Sequence, residues 1–122
     1  MTAGRRRDAQ RLEDMLKAVR EIGQEVGERT RAAYEADQTV QKAVTYDIMI
    51  LGDAASRVSR RTQKANPLVP WRELADYRNK DGSGPAHGYL GFDLTGTWKF
   101  VEGLPQLERR LRKVKPAPES TD

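Results

Sequence analysis

The chain contains no cysteine and a single histidine, His87. Without thiols there is no disulfide framework, no zinc finger, no iron–sulfur centre and no cysteine nucleophile. One imidazole among scattered carboxylates gives no metal-ligand spacing, so neither a metal nor a cofactor is expected. Long apolar runs are missing as well. Nothing approaches the roughly 18 residues that span a bilayer, and no apolar signal core follows the first arginines. The expectation is a cytoplasmic protein without membrane contact. Only 37% of the 122 residues are hydrophobic, against 33% charged. That balance suits thin amphipathic helices better than a doubly wound sheet, in a chain of one domain's length.

The formal net charge of +4 is unevenly spread. Residues 1–35 carry 8 basic and 7 acidic side chains, residues 36–55 carry 1 and 3, and residues 81–122 carry 6 and 6. Residues 56–80 carry 7 and 2, so the basic excess lies in Arg57, Arg60, Arg61, Lys64, Arg72, Arg78 and Lys80. Such a patch attracts phosphates. Its structural explanation is a helix C-terminus, where Arg57, Arg60 and Arg61 would favour the dipole. The clusters at Arg5–Arg7 and Arg109–Lys115 read as frayed ends, and residues 116–122 as a disordered tail behind a domain of residues 1–115.

Leu12, Met15, Leu16, Val19, Ile22 and Val26 recur in steps of three and four, which predicts a first helix. Its end is weakened by Gly23 and Gly27, and the stretch to Ala36 is either loop or helical continuation. Asp37 is a plausible N-cap for a second helix carrying Val40, Ala43, Val44, Ile48, Leu51, Ala55 and Val58. Gly52, Ala54 and Ala55 allow close approach, so this helix should be the most buried. Asn66–Pro70 breaks the pattern, and a short helix through Trp71, Leu74 and Tyr77 follows. Asp81–Pro85 is turn chemistry. Asp93 then caps a final helix running from Leu94 to Val114, which Pro105 kinks or splits. The fold class read from this pattern is all-α, an up-down bundle of four or five helices.

His87 sits beside the basic stretch, in Arg78-Asn79-Lys80-Asp81-Gly82-Ser83-Gly84-Pro85-Ala86-His87-Gly88-Tyr89. No G-x-S-x-G elbow exists for a serine hydrolase, and Asp81–Gly84 is too short for a phosphate loop. Arg, His and a basic surface do suit RNA cleavage. The imidazole takes the 2′-hydroxyl proton, the freed oxygen attacks phosphorus, and the guanidinium stabilises the phosphorane. The nucleophile belongs to the substrate, so no metal is required. One histidine cannot be base and acid in the same step. A two-fold dimer would bring a second His87 and Arg78 to the seam.

In order along the chain, Leu12–Leu16, Asp37-Gln38, Ile50–Ala55, Val69–Ala75, Arg78-Asn79, His87-Gly88-Tyr89 and Asp93…Trp98…Leu104-Pro105 resemble a HepT-type HEPN domain. That is the toxin half of the HEPN–minimal nucleotidyltransferase toxin–antitoxin systems of prokaryotes. The resemblance implies a helical homodimer with a metal-independent RNase site at its interface. By the same resemblance Arg78 and His87 are catalytic, and Asn79 orients His87 or the phosphate. Tyr89 is then the residue to which a nucleotidyltransferase antitoxin can attach AMP, an anion that would block the RNA phosphate site. Asp53 is a candidate to orient Arg78, and Arg57, Arg60, Arg61, Lys64, Arg72 and Lys80 are candidate RNA contacts. The family places four residues between its Arg and His, whereas this chain has eight, and removing Asp81–Gly84 restores the spacing. The alternative is therefore a non-catalytic HEPN subunit that partners a nucleotidyltransferase, its site disrupted by that insertion.

Overall fold

The computed structural model describes residues 3–77 and 94–118. Seven helices occupy them: α1 Ala3–Val26, α2 Arg31–Glu35, α3 Gln38–Arg57, α4 Arg60–Ala65, α5 Trp71–Asp76, α6 Leu94–Glu102 and α7 Leu104–Arg112. Among the described residues there is no strand, and the all-α bundle expected from the periodicity is what the chain forms. No helix among them is long and apolar enough to cross a membrane.

The bundle is built on two long helices. α1 has 24 residues and α3 has 20, about 36 and 30 Å at 1.5 Å per residue. They run antiparallel: Asp8 near the start of α1 meets Ser59 just past the end of α3, while Glu25 near the end of α1 meets Asp47. Between them lie Leu12, Met15, Val19, Ile22, Val44, Ile48 and Leu51, each at most 6% exposed. α5 covers α3, and α6 and α7 cover α1. Trp71, Leu74, Leu104, Leu107 and Leu111 close the core from that side.

The helix boundaries have local causes. α1 passes through Gly23 without interruption and ends at Gly27, whose φ of +57° suits a residue without Cβ. The Asp37 side chain accepts the Val40 N–H at 3.1 Å, the cap expected from the sequence. Thr30 does the same for α2, accepting the Ala33 N–H at 3.1 Å; the open choice between loop and continuation resolves as a separate one-turn helix. Pro105 lies in the first turn of α7, and the chain breaks at Gly103 rather than kinking.

One boundary differs from the expectation. Arg57, Arg60 and Arg61 do not share a helix C-terminus. Val58 is extended, with φ −69° and ψ 135°, and Ser59 caps a new helix by accepting the Thr62 N–H. Arg60 and Arg61 therefore occupy the first turn of α4, the end where the dipole disfavours cations. The compensating anion is Asp8, only 4% exposed, whose carboxylate accepts from the Ser59 N–H at 3.0 Å, the Ser59 hydroxyl at 2.6 Å and the Thr62 hydroxyl at 2.5 Å.

Candidate functional site

Arg78, Asn79, Lys80, His87 and Tyr89 lie outside the described residues, together with Asp81–Gly84 and the expected cap Asp93. What the structure supplies is the frame on either side of them. Tyr77, the residue before Arg78, is 5% exposed at the end of α5. Its ring meets Phe100 of α6 edge-on, with centroids 5.4 Å apart and planes at 81°. Burial first, and then the Glu73 carboxylate, push the Tyr77 hydroxyl well above its ordinary range. It therefore stays protonated and donates to Glu73 at 3.1 Å. The Tyr77–Phe100 pair thus joins the end of α5 to α6. Trp98, also on α6, packs against Tyr34 at 5.4 Å.

The expected RNA contacts on described residues are dispersed. Arg57 pairs with Asp53 one turn back on α3, at 3.1 Å, both side chains about half exposed. Asp53 thus has a partner on its own helix. Arg61 donates to the Pro118 carbonyl at 3.1 Å. Arg60, Lys64 and Arg72 are exposed on α4 and α5 without an ion-pair partner among the described residues. Residues 115–118, which include the start of the expected tail, are held at three points. Asn66 donates to the Lys115 carbonyl, the Ala117 N–H donates to the Thr62 hydroxyl, and Arg61 holds Pro118. No group of three or more potential metal ligands exists among the described residues.

A polar cluster that the sequence reading overlooks lies between α1, α2, α3 and α6. Asp47 is 5% exposed and Tyr34 fully buried, and the Glu25 carboxyl lies against Asp47 with its charge felt at Tyr34. Gln41 braces the same corner, donating to the carbonyls of Tyr34 and Glu35 at 2.8 and 2.7 Å. Burial, a hydrogen bond to Asp47 and the charges of Asp47 and Glu21 push Glu25 from 4.5 up to about 8. Burial also holds the Tyr34 phenol above its ordinary range; the nearby Thr97 side chain opposes this and the charge of Glu25 adds to it. The signal was present in the periodicity, since Glu25 follows Ile22 by three and Asp47 follows Val44 by three.

A carboxyl that ionises later in the folded chain than in the unfolded one favours folding only while it is protonated. Its contribution is complete below about pH 4.5 and is lost as the pH rises towards 8. Glu25→Gln keeps a donor for Asp47 and removes the charge. The variant is expected to match the wild type near pH 5 and to exceed it at pH 8 by about 1–2 kcal/mol, the shift being discounted for partial solvent screening. Thermal denaturation at the two pH values measures this. Equal gains at both would mean that Glu25 ionises at no cost.

An all-α bundle built on two long antiparallel helices, in a chain whose sequence carries Arg78, His87 and Tyr89 between α5 and α6, belongs to a recognisable class. The ribonuclease HepT-like family matches residues 15–114, and the chain belongs to that family. Among its relatives is a protein of Thermococcus cleftensis named "Probable ribonuclease HepT", 30% identical over 85% of this chain and 92% of the relative. A protein of Caldanaerobacter subterraneus, named as an inferred RNase, is 24% identical over 64% of this chain and 67% of its own. A Methanocaldococcus jannaschii protein with a similar name is 24% identical over 84% of this chain and 92% of its own. No solved structure matches the chain with significance.

Proposed function

We propose that this chain is a metal-independent ribonuclease of the HepT type, acting on tRNA or another RNA as a homodimer. The observation that carries the reading is the family match over residues 15–114, which contains the whole Arg78-Asn79…His87-Gly88-Tyr89 segment. His87 acts as general base or acid on the 2′-hydroxyl and the 5′-oxygen. Arg78 holds the phosphate and the charge that develops on it. Asn79 orients His87 or the phosphate. Asp53, now engaged by Arg57, is the candidate to exchange that partner for Arg78. The role is that of a toxin whose antitoxin is a minimal nucleotidyltransferase, with AMP on Tyr89 as the off-switch, because a bulky anion there competes with the RNA phosphate.

The test is cleavage of bulk tRNA by the purified protein in excess EDTA. Product ending in a 2′,3′-cyclic phosphate is expected, since attack by the substrate's own hydroxyl leaves that end. No cleavage by protein that is dimeric and unmodified at Tyr89 would overturn the ribonuclease.

The eight residues between Arg78 and His87 favour a second reading, a non-catalytic subunit of a nucleotidyltransferase complex. Removing residues 81–84 separates the two. Activity gained on removal points to an inactive natural chain, and activity lost means that the inserted loop belongs to the site.

A further inference from the structure

Two adjoining cavities run along one side of α7. The first, about 360 Å³, lies between the turn at Pro67, Leu68 and Val69 and the side chains of Arg109, Arg110 and Lys113. The second, about 380 Å³, lies between α5 and the corner of α6 and α7, with Leu74, Tyr77 and Phe100 on its walls and Glu73 and Lys99 beside them. Gln106 and Arg110 line both, so the two form one groove. Each is within the roughly 300–1,000 Å³ of ordinary small-molecule sites.

The charge of the groove follows from helical geometry. Gln106, Arg109, Arg110 and Lys113 stand at i, i+3, i+4 and i+7, one face of α7, while Leu104, Leu107 and Leu111 make its buried face. These cations are therefore not a frayed end, because α7 is regular through Arg112. Lys99, Arg109 and Lys113 are exposed and have no ion-pair partner among the described residues. Arg110 donates to the Leu68 carbonyl at 3.1 Å, which fixes its guanidinium at the junction with other N–H groups to spare. Glu108 does not neutralise the stripe, since it pairs with Arg20 of α1 and with Arg112. Among the described residues the one carboxylate on the groove is Glu73, which already accepts the Tyr77 hydroxyl.

We propose that this groove holds the RNA strand flanking the bond to be cut, an assignment that rests on the ribonuclease reading above. Phosphates lie on Arg109, Arg110 and Lys113, and one nucleobase enters the hollow beside Tyr77 and Phe100, its edge within reach of Glu73 and Gln106. Three features favour RNA over an acidic peptide. Cations alternate with apolar hollows, which matches the alternation of phosphate and base along a single strand. Polar groups stand beside an aromatic wall, as base recognition requires. The groove also reaches Tyr77, one peptide bond before Arg78.

The test uses full-length protein and a fluorescein-labelled single-stranded RNA made uncleavable by 2′-O-methylation, with anisotropy as readout. Arg109→Gln/Arg110→Gln/Lys113→Gln is expected to weaken binding by about 10–100-fold and to lower the slope of log K against log salt by about 2, some 0.7 for each lost phosphate contact. Arg109→Gln/Lys113→Gln spares the Arg110–Leu68 link and is expected to give an intermediate loss at unchanged far-UV circular dichroism. A charge-matched control on α1 and α3, Arg6→Gln/Lys17→Gln/Lys42→Gln, is expected to bind as the wild type does. Wild-type affinity in both groove variants, from protein that cleaves tRNA, overturns the groove and leaves the ribonuclease standing. Wild-type protein that neither binds nor cleaves RNA overturns both. Groove variants that keep RNA affinity but lose a nucleotidyltransferase partner assign the groove to a protein instead and overturn this proposal.

Discussion

Replacing His87 by alanine is expected to lower the rate of RNA cleavage by about 10²–10⁴-fold, the usual worth of a positioned general acid or base, with little change in RNA affinity. Anisotropy and single-turnover cleavage separate the two effects. On the proposed assignment affinity resides in cations that the substitution does not touch, whereas the imidazole matters as the 2′-hydroxyl gives up its proton and the 5′-oxygen gains one. Arg78→Lys is expected to cost about 10²–10³-fold in rate, because an ammonium keeps the charge but not the planar fork that meets two phosphorane oxygens. Subunit mixing tests the composite site. If each cleavage needs two imidazoles, equal mixing with His87→Ala leaves about a quarter of the activity of the same total wild-type protein, against about a half for independent sites. A half would end the two-histidine mechanism while leaving the ribonuclease in place.

The parts of this fold that could be read from the chain are those whose cause is local. The stripe from Leu12 to Val26, the Asp37 cap and the split at Pro105 each depend on residues within a turn or two, and each is found. The break at Val58-Ser59 was hidden because Val58 continues the apolar period of α3 and is buried at 3%. What stops the helix is Asp8, separated from Ser59 by 51 positions, which no window reaches. The basic stripe of α7 was misjudged for a related reason. Arg109 to Lys115 has the composition of a chain end, and only the packing of the 65–77 segment against α7 turns it into a groove. The motif residues stand out by resemblance rather than by physics. One Arg, one His and one Tyr within a dozen positions are too few to dictate chemistry, and the order of the surrounding segments made them specific.

Asp8→Ala is expected to destabilise the protein by about 3–4 kcal/mol, a large part of the 5–15 kcal/mol that a domain has in all. The carboxylate accepts from one backbone N–H and two hydroxyls, at 3.0, 2.6 and 2.5 Å. Each hydroxyl is also an acceptor, Ser59 for the Thr62 N–H and Thr62 for the Ala117 N–H. Removing one residue therefore strands donors on α4 and loosens the anchor of residues 115–118. It also leaves Arg60 and Arg61 unopposed at the positive end of α4. Asp8→Asn keeps one acceptor oxygen and the shape, so its cost should be about half. Urea titration followed by circular dichroism measures both. The same network fixes a pH dependence. Burial acts to raise the Asp8 carboxyl, but its hydrogen bonds from Ser59 and Thr62, with the nearby Arg7 charge, outweigh burial and hold it below its ordinary 3.8. A group that ionises more readily in the folded chain gives its full stabilisation above the unfolded value and loses it as the pH falls through the folded one. Wild-type stability should therefore drop steeply below about pH 4, and the Asp8→Asn curve should be flatter there. A loss under about 0.5 kcal/mol for Asp8→Ala, the level of an ordinary surface substitution, would mean that Ser59 caps α4 unaided and that Asp8 only fills space.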